Sequence, residues 1–183
     1  MNTITLKNAT NDEINSLSIA KLLDSMSTQI SEKISRFTID DVVMVGIHTG
    51  GYWVAQQLHQ QLKMTNPLGS LSISFYRDDF THIGLHPEVL PSELPVDVEG
   101  KHIVLVDDVL YTGRTVRAAL NEIFDYGRPA SVIFCALIDR AEHELPICAD
   151  VCGISINLLK NQQIKLSGPE SLSLKLVETK VDN

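Results

Sequence analysis

The chain has 183 residues, the length of one domain or of one domain with an added arm. Its 44% hydrophobic and 21% charged residues exclude disorder and collagen-like structure, and no stretch approaches the ~18 consecutive apolar residues of a membrane helix. Fifteen basic residues against 23 acidic ones give a formal net charge of −8, which argues against a general nucleic-acid binder, since phosphate contacts need clustered lysine and arginine.

Met1 to Thr10 lacks the basic-then-apolar order of a secretion signal. Cys135, Cys148 and Cys152 are an odd number with no zinc-ligand spacing, so they read as thiols in a reducing compartment, and a cytoplasmic location is expected. Thr10 and Glu13 fit a capping box, and Ile14, Leu17, Leu22, Met26, Ile30 and Ile34 continue as one helical stripe. Val42 to Ile47 is an unbroken apolar run, the pattern of a strand buried on both faces. His48 to Gly51 turns the chain into a helix from Tyr52 to Leu62. Alternation of Leu71, Ile73 and Phe75 predicts a strand over Ser70 to Tyr76. The polar segment from Arg77 to Gly100 is longer than a passive connection needs and reads as an active-site loop. Ile103 to Val106 is a buried strand, Asp107 to Thr115 a loop, and a helix then runs to about Tyr126, ended by Gly127 and Pro129. Val132 to Ile138 is a further strand. A short strand near Val151 and edge strands at Gln163 to Leu166 and Ser173 to Val177 complete the chain. Strands alternating with helices define an α/β fold with a mainly parallel twisted sheet, in which ligands bind beyond the carboxyl ends of the strands.

The chemistry concentrates after Val106. A buried strand delivers Asp107 and Asp108, and Thr112-Gly113-Arg114-Thr115 leads into a helix. Gly113 permits an open backbone, the helix start is electropositive, and the two threonine hydroxyls can donate; together they make a phosphate cradle. Two carboxylates cannot also be phosphate ligands; they suit vicinal sugar hydroxyls or a hydrated Mg²⁺. Hydroxyl acceptors beside phosphate donors fit a ribose 5-phosphate. Neither a Walker A sequence nor G-x-G-x-x-G is present.

At these residues, Val106-Asp-Asp-Val-Leu-Tyr-Thr-Gly-Arg-Thr-Val-Arg-Ala, the sequence resembles the type I phosphoribosyltransferases, and within them the pyrimidine operon attenuator and uracil phosphoribosyltransferase family. The likeness extends through Val45-Gly-Ile-His-Thr-Gly-Gly, Phe75-Tyr-Arg-Asp-Asp, Leu94-Pro-Val-Asp, Tyr126-Gly-Arg-Pro-Ala and Ile138-Asp-Arg with Glu144-Leu-Pro-Ile. It implies one domain over residues 1–183, with a small hood formed by the N-terminal part and about 139–183. It implies transfer of ribose 5-phosphate from phosphoribosyl pyrophosphate to uracil, giving uridine monophosphate and pyrophosphate. The alternative is a nucleotide-sensing regulator of pyrimidine genes.

The resemblance also assigns residues. Asp107 and Asp108 hold the ribose hydroxyls, with Mg²⁺ near them through water or substrate. Val109, Leu110, Tyr111, Thr112, Gly113, Arg114 and Thr115 wrap the 5-phosphate. Thr49, Gly50 and Gly51 bind pyrophosphate, in many relatives beside a non-proline cis peptide. Arg77 sits at the root of the covering loop, and the base lies against Asp139, Arg140, Val151 and Cys152. Uridine nucleotides and a homodimer or larger homo-oligomer are further implied partners, and a membrane is not. The family also implies RNA. Against that, the first helix carries Asp12, Glu13, Asp24 and Glu32 against Lys21 and Lys33, and Glu142, His143, Cys148 and Ile154 stand where basic hood residues are usual. Specific RNA binding is therefore expected to be weak or absent.

Overall fold

The computed structural model describes residues 5–7, 9–73, 91–159 and 161–178. Arg77, His82 and His86 lie outside them. Thirteen elements follow in order: β1 (Thr5–Lys7), α1 (Asn11–Ser16), α2 (Ile19–Ile34), a 3₁₀ turn (Ile39–Asp41), β2 (Val42–Ile47), α3 (Gly50–Gln61), β3 (Gly69–Leu71), β4 (His102–Leu110), α4 (Arg114–Tyr126), β5 (Ser131–Asp139), β6 (Val151–Asn157), β7 (Gln162–Ser167) and β8 (Ser173–Glu178).

Six strands form one sheet in the order β1-β6-β5-β4-β2-β3, and every pairing in it is parallel. Alternate residues of its central strands face two separate cores. Val42, Met44, Val104, Val106 and Cys135 meet Leu23, Met26 and Ile30 of α2 and Val54 and Leu58 of α3. Val43, Val45, Ile103, Leu105 and Phe134 meet Val116, Ala119 and Ile123 of α4 on the other face. This two-sided burial explains the continuous apolar runs of β2 and β4. β7 and β8 form a separate antiparallel pair, and their Ile164 and Leu174 are buried in the first core.

The capping box at Thr10 is present: Glu13 N–H donates to Thr10 Oγ1 at 3.3 Å and Thr10 N–H to Glu13 Oε2 at 2.8 Å. That backbone bond from Thr10 is the main reason the Glu13 carboxyl is held below its ordinary pKa. The expected single helix is two. Leu17 is extended, and Ser18 starts α2 by accepting Lys21 N–H at 3.4 Å; a serine side chain that satisfies backbone donors here restarts the helix instead of continuing it. The apolar stripe of α2 is spent on the sheet, where Leu23, Met26, Ile30 and Ile34 are buried at roughly 1.5–3 kcal/mol each.

Two boundaries also differ. The expected loop from Asp107 begins inside β4, because Asp107, Val109 and Leu110 ladder with Ala136, Ile138 and Asp139 of β5. The expected strand from Ser70 to Tyr76 is β3, Gly69–Leu71, with residues 74–76 outside the described set. Residues 91–100 turn back along β3 through reciprocal backbone bonds between Ser70 and Glu93 at 2.7 and 2.8 Å, and bury Val98. No described helix is long and apolar enough to cross a membrane.

Candidate active site

The chain leaves β2 toward β3 on one side and β4 toward β5 on the other. A crevice opens at such a point, beyond the carboxyl ends of the strands. A cleft of about 290 Å³ lies there. It is lined by Ile47 and His48 after β2, Thr49, Gly50 and Trp53 of α3, Asp107 to Val109 of β4, Tyr111, Thr115, Arg140, and Gln163 to Leu166 of β7.

Its floor is an acidic pair. Asp107 is 4% exposed, and its Oδ1 accepts Asp108 N–H at 3.0 Å. Asp108 lies against Gly50: a Cβ built on Gly50 would come 2.6 Å from Asp108 Cγ. A Cβ on Gly51 would come 2.7 Å from Val106 O and 2.8 Å from Asp107 Cα. The two glycines thus let the start of α3 close on the end of β4. The His48–Thr49 peptide bond is cis. His48 stacks on Tyr52 at 4.8 Å between ring centroids, and burial pushes its pKa down.

On the other side of the pair, Tyr111 and Thr112 lead to Gly113, whose φ of +92° is the left-handed region that glycine enters at little cost. α4 starts at once. Neither α3 nor α4 has a side-chain cap at its N-terminus, whereas α1 and α2 are capped by Thr10 and Ser18. The first backbone N–H groups of a helix need acceptors from outside it. At α3 no side-chain cap supplies them, and at α4 Thr112 Oγ1 takes only the first, Arg114 N–H. Two electropositive helix starts therefore flank two carboxylates, the arrangement that receives one oxyanion on each side of a polyhydroxylated sugar.

The connection from β5 to β6 straps the second helix start. Thr112 O accepts the N–H groups of Glu144 and Leu145 at 3.1 and 3.0 Å, Thr112 Oγ1 accepts Arg114 N–H at 3.2 Å, and Arg114 pairs with Glu144. Arg140 begins this strap. It is 4% exposed, its N–H donates to Leu110 O at 2.9 Å, and its guanidinium carbon stands 3.7 Å from the centroid of the Tyr111 ring.

Of the residues assigned from sequence, Thr49, Gly50, Asp107, Asp108, Val109, Tyr111, Thr115 and Arg140 line the cleft. Gly51, Thr112, Gly113 and Arg114 shape it from behind, and Leu110 is core at 1% exposed. The expected base-side residues divide. Asp139 does not line the cleft; its Oδ1 holds Ala141 N–H and His143 Nε2, each at 2.7 Å. Val151 is 1% exposed within the core, and the Cys152 thiol donates to Ile154 O at 3.2 Å, because β6 runs inside the sheet and not over the site. Ile154 is likewise buried and faces no partner. Trp53 is a wall of the cleft, as are His48 and the β7 residues. The period-two pattern of Gln163 to Leu166 marks a strand, but nothing local says that this strand reaches the site.

The donor set suits Mg²⁺. Two adjacent carboxylates stand at the cleft with no group of three or more potential ligands among the described residues, and Mg²⁺ is usually held by one or two carboxylates, waters and substrate oxygens.

The phosphoribosyl transferase domain family matches residues 10–167, and the chain belongs to that family. Among curated relatives, the bifunctional protein PyrR of Nitrosococcus oceani is 55% identical over 163 residues, 88% of this chain and 92% of its own. That of Pseudomonas syringae pv. tomato is 55% identical over 157 residues, covering 86% and 92%. Among solved structures, the hypoxanthine phosphoribosyltransferase of Trypanosoma cruzi superposes with a TM-score of 0.63 at 15% identity, over 88% of this chain and 93% of that one. A hypoxanthine-guanine phosphoribosyltransferase of Bacillus anthracis gives 0.62 at 20% identity, over 78% and 83%. These two likenesses concern the fold.

Proposed function

We propose that the protein transfers ribose 5-phosphate from Mg²⁺-phosphoribosyl pyrophosphate to uracil, releasing uridine monophosphate and pyrophosphate. The observation that carries this reading is the acidic pair Asp107–Asp108 between the starts of α3 and α4. Asp107 and Asp108 accept the ribose hydroxyls. The start of α4, with Tyr111 and Thr115, receives the 5-phosphate, and the start of α3, with Thr49 and Gly50, receives the pyrophosphate.

N1 of uracil attacks C1 of the ribose. The N1–C1 bond forms, the C1–oxygen bond to pyrophosphate breaks with its electron pair leaving on pyrophosphate, and the N1 proton is released. The sugar acquires oxocarbenium character, as in glycoside cleavage. The carboxylates stabilise that positive charge, and the uncapped donors of α3 stabilise the negative charge on the leaving group. Mg²⁺, when bound at the acidic pair, adds charge neutralisation on the pyrophosphate. The base lies toward Trp53 and β7. One edge of β7 pairs with β8 and the other carries no strand among the described residues; such an edge offers alternating N–H and C=O groups to the carbonyl and N3–H groups of a uracil ring. Arg77, outside the described residues, belongs to this proposal as a catalytic residue at the root of the covering loop.

Incubating the protein with Mg²⁺, phosphoribosyl pyrophosphate and each common nucleobase tests the reading. Uridine monophosphate is the expected product, and formation of only a purine nucleotide would overturn it. The word bifunctional in the relatives' name favours a second role: a nucleotide-sensing regulator of pyrimidine genes using the same cleft.

A further inference from the structure

Among the described residues, Arg140 is the one charged group at the cleft with unmet buried donors: Nε and Nη2 have no hydrogen-bond partner. Asp139 holds Ala141 and His143, and Glu144 pairs with Arg114. Among the described residues no ion pair includes Arg140. A guanidinium shut away from water without an acceptor is costly, so the fold tolerates it where a ligand completes the site.

The identity of the two free donors narrows the ligand. Nε–H and Nη2–H point from the same edge of the guanidinium and form a fork. Such a fork matches two oxygens on one phosphorus or carbon atom. The two carbonyl oxygens of a uracil ring are too far apart to fill it together, and the N3–H between them is a donor. Stacking on Tyr111 fixes the plane of the fork, and Ala141, the next residue, is held at a φ of +56° by its bond to Asp139, which fixes where Arg140 leaves the backbone.

We propose that Arg140 is an oxyanion-binding residue of the cleft, taking two oxygens of one phosphoryl group of the phosphoribosyl substrate through Nε and Nη2. The assignment rests on the phosphoribosyl reading of the site and moves Arg140 from the base side to the phosphate side. The phosphoryl group is the 5-phosphate or the pyrophosphate, and the two sources separate by experiment.

Calorimetry on the full chain with Mg²⁺-phosphoribosyl pyrophosphate, ribose 5-phosphate and Mg²⁺-pyrophosphate, for wild type, Arg140→Lys and Arg140→Met, makes the test. Affinity for phosphoribosyl pyrophosphate is expected to fall at least about tenfold in both variants, which is ~1.4 kcal/mol. Lysine keeps the charge and loses the fork, so it recovers only part of the loss seen with methionine. A parallel loss for ribose 5-phosphate alone places the fork on the 5-phosphate; a loss for pyrophosphate alone places it on the leaving group. Unchanged affinity for all three ligands overturns the proposal, as does a rise in the KM for uracil with phosphate ligands unaffected. If Arg140→Met does not fold, Arg140→Lys decides alone. Failure of wild type to make uridine monophosphate would defeat the choice of uracil and leave these binding results standing, because none of them requires turnover.

Discussion

Replacing Gly50 with alanine sets a methyl group against Asp108 Oδ2 and 2.6 Å from Asp108 Cγ. The clash is with a side chain, so the carboxylate can rotate away. The backbone of Gly50 is an ordinary first turn of α3, and alanine is the better helix former there. The change in folding stability should therefore stay within about 1 kcal/mol, or roughly 2–4 °C in Tm for a chain of this size. Substrate affinity should respond differently. Displacing Asp108 removes its charge-assisted bond to the ribose, worth roughly 1.5–3 kcal/mol, so Kd for Mg²⁺-phosphoribosyl pyrophosphate should rise about ten- to hundredfold. Asp108→Asn should give a loss of the same order with the fold intact. The double variant should be little weaker than either single one, because both act on one carboxylate. Gly51→Ala is the contrast. Its methyl would meet backbone, Val106 O at 2.7 Å and Asp107 Cα at 2.8 Å, and neither can rotate aside. It should cost about 1–3 kcal/mol of stability. Calorimetric binding together with thermal unfolding separates the two effects. Wild-type affinity in Gly50→Ala, or losses that simply add in the double variant, would refute the placement of Asp108 as a substrate ligand held by a bare Gly50.

Four further outcomes are expected. Of the three cysteines, Cys148 is exposed, whereas burial pushes the Cys152 thiol up to about 12 and the fully buried Cys135 higher still; iodoacetamide at pH 8 should label one thiol per native chain and three after unfolding. Burial lowers the pKa of His48; as pH falls below about 6.5 the unfolded chain takes up the proton first, and wild type should lose stability relative to His48→Gln in urea titrations, while above pH 7 the difference between them should be constant. Leader-RNA binding should be weak: Lys33 already faces Asp150 at 3.8 Å and the chain is net acidic, so a steep salt dependence at nanomolar affinity would contradict the charge argument. Phe124 and Tyr126 at the end of α4 are 55% and 49% exposed; light scattering is expected to show a homodimer or larger, and a one-chain mass at micromolar concentration would speak against assembly.

The sequence alone determined the sheet strands β2, β4 and β5 and the turn from Tyr111 into α4, because their signals are local. An apolar run buried on two faces, a carboxylate pair, a glycine in the left-handed region and a helix start all lie within one short stretch from Ile103 to Thr115. The capping box at Thr10 was legible for the same reason. Only the tertiary structure decided the rest. Asp107 to Leu110 became strand because β5 lies alongside to pair with them. Val151 and Cys152 left the site because β6 inserts between β1 and β5, a choice that depends on strands distant in sequence. Trp53 and Gln163 to Leu166 entered the cleft because the β7–β8 pair buries Ile164 and Leu174 in the core formed by α2 and α3. Arg140 follows an aspartate in the sequence; in the fold that aspartate holds Ala141 and His143, and Nε and Nη2 of Arg140 are left without a partner. Which donor finds which acceptor depends on where whole strands are placed, and residue pattern along one segment does not carry that information.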